Sequence, residues 1–394
     1  MPRQAGGRKS RHPPLQGHIL WLYVRHVRPC LSRTRPDARP SEMPRPDRGI
    51  AVPQANAKLR ILATTDLHAH VCGWDYIADQ SRPDLGLANL ATLIDAARAE
   101  CPNCLLVDNG DFLNGSPLGD WAAGPGQTAP HPVISAMNAL RYDAATLGNH
   151  EFGQGVPLLA RALAAARYAV VSANLRPVGD DLPLPVGALL RRQVTDDHGI
   201  RHPLAIGITG IAPRQTEIWE RRHIAGRITC LDPGQSATAE VARLRAQGAD
   251  IVLLLGHTGL GEDPPGQGSE NVGRQLARES GADALILGHT HALFPAIPDQ
   301  PAHLGKTPTL LPGAFGSHLG RIDLTLTRSA GKWHIRHSTI ALQPAQPTPA
   351  PHPAVAAACA AAHRAARNWL AAPIGTSQTP LHSHFALLAP CDLL

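Results

Sequence analysis

Five short apolar runs in this chain each close on an acid, an amide or an imidazole, and this repeat limits the fold more than any other feature. Leu105-Leu106-Val107-Asp108 leads into Asn109-Gly110-Asp111. Leu59–Thr65 runs into Asp66-Leu67-His68, and Asp143–Leu147 into Gly148-Asn149-His150-Glu151. Asp250–Leu255 ends at Gly256-His257, and Asp283–Leu287 at Gly288-His289-Thr290-His291. Runs this short, apolar nearly throughout and closed by turn residues, predict buried strands whose last residues are pushed out into loops.

Segments of helical period fall between the strands. Leu85–Arg98 carries Leu, Ala and Ile on one face and Asp95 and Arg98 on the other, and further helices are expected at His131–Leu140, Val156–Ala166, Ser236–Gln247 and Asn271–Ser280. Strand, helix and strand in alternation mean βαβ units, so the fold class is α/β with a mixed, largely parallel sheet and helices on its faces. From Thr309 to Leu342 the pattern changes. Gly320–Leu326 and Trp333–Leu342 flank Ser329-Ala330-Gly331, which predicts a hairpin and with it an antiparallel second sheet packed on the first.

Ligands bind at the carboxyl edge of a parallel sheet. The pattern therefore places Asp66, His68, Asp111, Asn149, His257, His289 and His291 together, on one side of one sheet. Carboxylate, amide and imidazole donors without cysteine suit Mn, Zn, Co or Fe as divalent ions and argue against a structural zinc. Seven donors are too many for one ion. The economical solution is two ions about 3.5–4 Å apart, bridged by Asp111 and a hydroxide. Two divalent ions beside two carboxylates leave a net positive cavity that attracts phosphate oxygens. Water ionised between the ions then attacks phosphorus, and His150, beside Asn149 but free of the ions, assists the leaving group. Asn149 ligates without adding negative charge next to an anionic substrate.

Composition sets the limits of the chain. Its 394 residues make one large domain with tails or two ordinary ones at about 150 residues each. The net charge of +6 is concentrated before residue 50, in arginines interleaved with prolines, so residues 1–57 are expected to be a disordered basic arm. His18–Val24 is apolar enough to resemble part of a signal peptide, but it is too short and no cleavage site follows it. No apolar run reaches the ~18 residues that a membrane span needs. Seven scattered cysteines do not form a disulfide framework. In Cys101-Pro102-Asn103-Cys104 the C-x-x-C spacing has no second copy, and Cys104 opens a strand, so a structural role is expected. A proline-rich linker at 344–353 precedes an alanine-rich helix, Ala354–Ala371.

In this order the motifs D-x-H, G-D, G-N-H-E, G-H and G-H-T-H resemble those of the calcineurin-like metallophosphoesterase superfamily. Within it they resemble the 5′-nucleotidase family, and most closely the 2′,3′-cyclic-nucleotide 2′-phosphodiesterase/3′-nucleotidase branch. The likeness is carried by Thr64-Thr65-Asp66-Leu67-His68, Val107–Asp111, Gly115-Ser116-Pro117-Leu118-Gly119-Asp120, Leu147–Phe152, Gly256-His257-Thr258-Gly259-Leu260 and Gly288–Ala292. It covers about Lys58 to Leu342 and continues into Pro373-Ile374-Gly375.

This resemblance implies a four-layer sandwich of two sheets and flanking helices, with the catalytic domain at 58–343. It implies one ion held by Asp66, His68, Asp111 and His291, a second held by Asp111, Asn149, His257 and His289, and His150 at the phosphate. Relatives acting mainly on 5′-nucleotides tend to have Asp where this chain has Gly153 and Gln where it has His291, so both positions point to the cyclic-nucleotide branch. The implied substrate is a small nucleotide, with no stable nucleic-acid partner, in nucleotide catabolism. The implied location is the periplasm, with the cytoplasm left open because no clear signal peptide is legible.

Members of the branch continue from a linking helix into a second domain that stacks the base. Here 354–394 reads as that helix and a truncated start of the second domain, and an aromatic share of 4% shows no stacking platform. Three functions stay open: a two-step hydrolase of 2′,3′-cyclic nucleotides and 3′-nucleotides, a 5′-nucleotidase or relaxed phosphoesterase of the same family, and an inactive truncated fragment. Oligomeric state is not legible.

Several residues have quieter expectations. His70 is expected to pack or support rather than ligate, and Asp108 to accept hydrogen bonds behind the site. The sequon Asn114-Gly115-Ser116 sits in an active-site loop and is discounted as a glycosylation site. His318 either reaches the site or caps a turn. Gly110 and Gly148 are expected to let backbone approach the ions.

Overall fold

The structure is a computed structural model that describes residues 55–297, 302–347 and 352–378. Nearly all of the expected arm, the apolar stretch His18–Val24 and the chain end after residue 378 lie outside the described residues, as does the middle of the proline-rich linker.

The first half contains β1 (Asn56–Thr64), α1 (Leu87–Glu100), β2 (Cys104–Asp108), α2 (Pro117–Ala123), α3 (Pro132–Ala139), β3 (Ala144–Thr146), α4 (Val156–Ala164) and β4 (Ala169–Val171). There follow β5 (Gly187–Thr195), β6 (Arg201–Ile211), α5 (Pro233–Ala246), β7 (Ile251–Gly256), α6 (Gly273–Glu279), β8 (Ala284–Leu287), β9 (Thr307–Pro312), β10 (His318–Ser329), β11 (Lys332–Pro344) and α7 (Pro353–Leu370).

These strands make two sheets. One has the order β11-β10-β1-β2-β3-β4, parallel from β1 to β4. The other runs β9-β8-β7-β6-β5, parallel from β9 to β6, with Leu293–Phe294 beyond β9. The apolar runs alternate between two cores, which is why they carry almost no polar residues. Ile61, Leu105, Val107, Ile208, Leu253, Leu255 and Ile286 fill the space between the sheets. Leu62 and Leu106 face outward onto α1, α3 and α4, while Val252, Leu254 and Leu285 face α5 and α6. Helices, sheet, sheet and helices give the expected four layers.

Two expectations need correction. The hairpin 318–344 does not form the second sheet; β10 pairs antiparallel with β1 and extends the first one. The functional strand ends also do not share one sheet. Those of β1, β2 and β3 belong to the first, those of β7 and β8 to the second. Apolar period tells which residues are buried, but it does not tell which strand pairs with which, and both errors follow from that.

Buried arginine holds the first sheet to its helix. Arg60 on β1 donates from Nε and Nη2 to the two oxygens of Asp323 on β10, at 2.7 and 3.0 Å, and from Nη1 to Ala97 O on α1. The paired geometry satisfies a charge that would otherwise be costly to bury. No helix among the described residues is long and apolar enough to cross a membrane.

Candidate metal centre

The carboxyl edges of the two sheets converge, and the side chains meet there. Asp66, His68 and His291 place one donor atom each within 4.8 Å of one another, and Asp111, His257 and His289 do the same. Each group combines residues from both sheets. Imidazole Nε2 of His68 lies 3.9 Å from Asp66 Oδ1 and 4.0 Å from Asp111 Oδ2. That of His257 lies 3.9 and 3.0 Å from the same two oxygens. Six of the seven residues expected to bind metal are thus gathered, and the seventh, Asn149, follows β3 in the loop whose next residue, His150, donates its backbone N–H to Asp111.

The ring orientations are fixed from behind. His68 Nδ1 lies 2.8 Å from Asn114 O, and His257 Nδ1 lies 2.7 Å from Asn109 O. A ring nitrogen held at a carbonyl fixes the ring so that the other nitrogen is aimed into the cluster, as a metal ligand requires. His68 Nε2 and His291 Nε2 face each other at 3.0 Å. Asn149 Oδ1 is buried and has no hydrogen-bond partner, although a buried polar atom without one is costly. One ion between the facing imidazoles and a second at the amide oxygen would satisfy these atoms, so the donor set fits divalent metal.

Backbone conformation marks the same residues. Asp66, His68, Asp111, His289 and His291 have φ of 49°, 45°, 57°, 70° and 57°, in the left-handed region that side chains rarely adopt. Such strain persists only where surrounding structure over-determines it, and it clusters at functional sites. Here the supports are visible. Asp66 N donates to Gly110 O, His68 N to Asp111 O, and Phe315 N to Asp66 O. Gly148 is needed for room: a Cβ there would meet the Asp111 carboxylate and stand 2.6 Å from His257 Nε2.

Burial dominates the electrostatics. It pushes the Asp66 carboxyl up, with His257 opposing, and it lowers His68 to about 4. Burial would also lower His257, but Asp111 and Asp66 hold it at about 10. Burial acts to raise Asp111, and the opposing charge and hydrogen bond of His257 bring it below the usual carboxylate range. The two buried acidic side chains thus draw positive charge to His257, the task a divalent cation would take over here.

Three residues near the centre had no assigned role in the sequence reading. Buried Glu151 accepts from four backbone N–H groups: Oε2 from Asp111 and Gly148 at 2.8 and 2.7 Å, Oε1 from Phe112 and Leu113 at 2.7 and 3.1 Å. It ties the loop after β2 to the loop after β3. Burial, with Asp111 close by, pushes its carboxyl up to about 7. Glu270 Oε1 lies 2.5 Å from His289 Nε2. Trp219, 44% exposed, stacks on the His289 ring with centroids 5.6 Å apart and planes 19° apart. An aromatic face therefore stands at the site, on the ring of an expected ligand. The motif G-N-H-E already contained Glu151; nothing local pointed to Glu270 or Trp219.

The quieter residues also have places. His150 is exposed, its backbone N–H donates to Asp111 Oδ1 at 2.8 Å, and its ring meets that of His68 edge to face at 5.1 Å. His70 Nδ1 lies near Leu67 O and His68 O, and its ring packs on Phe315, a supporting position. Asp108 accepts from Thr64 Oγ1 and from Gly110 N, so it shapes the turn behind the site. Ser116 is buried, with its hydroxyl on Ala69 O, in the loop after β2. His318 Nδ1 lies 3.0 Å from its neighbour Ser317 Oγ.

With this geometry in hand, similarity to known proteins is decisive. Residues 59–293 match the calcineurin-like phosphoesterase family. The chain belongs to that family. It is 37% identical over 355 residues to the 2′,3′-cyclic-nucleotide 2′-phosphodiesterase/3′-nucleotidase of Salmonella typhimurium, covering 86% of this chain and 55% of the relative. The trifunctional nucleotide phosphoesterase YfkN of Bacillus subtilis is 33% identical, over 85% of this chain and 24% of its own length. The crystal structure of the calcineurin-like phosphoesterase YfkN superposes with a TM-score of 0.76 at 33% identity, over 81% of this chain and 99% of that one. A 5′-nucleotidase precursor from Thermus thermophilus shares the fold at 25% identity and a TM-score of 0.59, over 80% of this chain and 60% of that one. This calcineurin-like phosphoesterase spans about half the length of its Salmonella relative.

Proposed function

We propose that this chain hydrolyses small nucleotide phosphoesters, opening 2′,3′-cyclic nucleotides to 3′-nucleotides and then releasing phosphate from these. The observation that carries the reading is the pair of adjoining donor groups, linked by His257 Nε2 between Asp66 and Asp111, together with the unpartnered amide oxygen of Asn149. The names of the relatives support the choice of substrate.

One divalent ion would be held by Asp66, His68, Asp111 and His291, and a second by Asp111, Asn149, His257 and His289. Bound there, the pair would supply positive charge for the phosphate oxygens and an ionised water as nucleophile. The protein's own groups do the rest. His68 and His257, tied by Nδ1 to backbone carbonyls, keep Nε2 aimed inward without rotating. Glu151 holds the backbone of Asp111 and Gly148 in register. His150, exposed at the rim, reaches the leaving oxygen and donates the proton it needs. In the first step one water adds and the bond from phosphorus to the 2′ oxygen breaks, leaving the 3′-phosphate. In the second, another water adds and the 3′ oxygen leaves. The periplasmic location implied by the resemblance belongs to the same reading.

The test is an assay of the purified chain with Mn²⁺ or Co²⁺ on bis-p-nitrophenyl phosphate, followed by 2′,3′-cyclic AMP, 3′-AMP and 5′-AMP. Turnover preferring the first two nucleotides is expected. Equal rates on all three reject the substrate assignment, and no turnover with any metal rejects the enzyme.

A further inference from the structure

Helix α7 is joined to the segment just after His68 along one stripe. Residues 359, 363 and 367 lie four apart, so they share a face of the helix, and each has a partner between 72 and 79. Tyr76 Oη lies 2.9 Å from His363 Nδ1. Arg367 donates to both oxygens of Asp79 at 2.7 and 2.9 Å and covers the Trp74 ring at 4.5 Å. At the inner end of the stripe, Cys72 Sγ and Cys359 Sγ are 2.8 Å apart. Both are free thiols. Cys359 is 1% exposed and packed into the main core with Val355 and Ala366, while Cys72 is only half-buried.

A separation of 2.8 Å lies within 1 Å or so of the ~2.05 Å covalent length, so little movement is needed to close the bond. The neighbouring contacts fix the register of the helix, because sliding it by one turn would break both the tyrosine–histidine and the arginine–aspartate pairs. The two sulfurs are therefore held opposite each other by groups that do not depend on them. Among the other described cysteines, the thiols of Cys101 and Cys104 donate to backbone carbonyls, and Cys230 packs into the main core.

We propose that Cys72 and Cys359 form a disulfide under oxidising conditions, a cross-link that fixes α7 onto the segment leading from metal-site residue His68. Both S–H bonds break and one S–S bond forms. The two electrons and two protons pass to a small-molecule disulfide oxidant, whose own S–S bond breaks to give two thiols. Of the two residues, Cys72 is the more exposed. The closed loop spans 287 positions, and constraint of so long a loop in the unfolded chain stabilises the folded form.

The test uses the full chain, equilibrated with glutathione disulfide or with dithiothreitol, alkylated, digested without reduction and mapped by mass spectrometry. A peptide pair joining Cys72 to Cys359, two hydrogens lighter than its parts and absent after dithiothreitol, is expected. The oxidised protein should melt roughly 5 °C or more above the reduced one, and this difference should vanish in Cys72→Ser. Recovery of both residues as alkylated thiols after oxidation, or pairing of either with another cysteine, overturns the proposal. The peptide map needs no variant, so a folding defect in Cys72→Ser leaves the test intact.

Discussion

Glu151→Gln is the most demanding single change for this site. The carboxylate accepts four backbone N–H groups, two on each oxygen, from loops that carry Asp111 and Asn149. A glutamine of the same shape keeps one oxygen and two of these bonds. Its NH₂ then faces the other two donors, which are left unpaired in a buried site. Each unsatisfied buried donor costs about 1–3 kcal/mol, so the change should destabilise the fold by roughly 2–6 kcal/mol. At about 2 °C per kcal/mol for a domain of this size, the melting temperature should fall by roughly 4–12 °C. Because Asp111 N and Gly148 N are among the four donors, the loops should also shift and bound metal should drop below that of the parent chain. Differential scanning fluorimetry and metal analysis by mass spectrometry read the two effects. A variant that melts within about a degree of the parent and retains its metal would refute the assignment of Glu151 as the tie between the loops.

Other changes have equally definite outcomes. His150→Ala should lower kcat by about 10²–10⁴ with metal content unchanged; loss of metal would make His150 a ligand instead. Gly148→Ala should lose metal, since the added Cβ meets Asp111 and His257, and retention of both equivalents by metal analysis would contradict the crowding argument. Buried His131 caps α3 through Nδ1, which accepts from Val133 N at 3.3 Å, and burial lowers its pKa to about 4. Its proton is bound in the unfolded chain below about 6.5 but in the folded chain only below about 4. The unfolded state therefore binds more protons in that window, and stability should fall as pH drops through it, by up to roughly 3 kcal/mol. His131→Asn, which can still cap the helix, should flatten this part of the pH–melting curve; an unchanged curve would show that another group is responsible.

Much of the architecture could be read from period alone. Runs such as Leu253-Leu254-Leu255 are apolar at every position because one side faces the other sheet and the opposite side faces helices, and that double burial is what marks a strand in a layered α/β protein. Asp66, Asp111, Asn149, His257 and His289 could be placed near one another because each follows such a run. The division of these ends between two sheets could not, since hydrogen-bonded neighbours such as β1 and β10 are more than 250 residues apart at their first pair, Asn56 and Thr327. Glu270 and Trp219 lie in connecting segments without period, and only the folded path of those segments brings them onto His289. Cys72 and Cys359 read as scattered in the sequence for the same reason. They are distant in the chain and adjacent in the fold.

Neither trio of donors is complete within one sheet: Asp66 and His68 need His291, and Asp111 needs His257 and His289. During synthesis, a ribosome must have passed His291 before the first trio can close. Capture of an ion by these groups would thus come late in the life of the chain, however early its opening strands assemble, and an ion seated there would work as a rivet across the seam between the two halves.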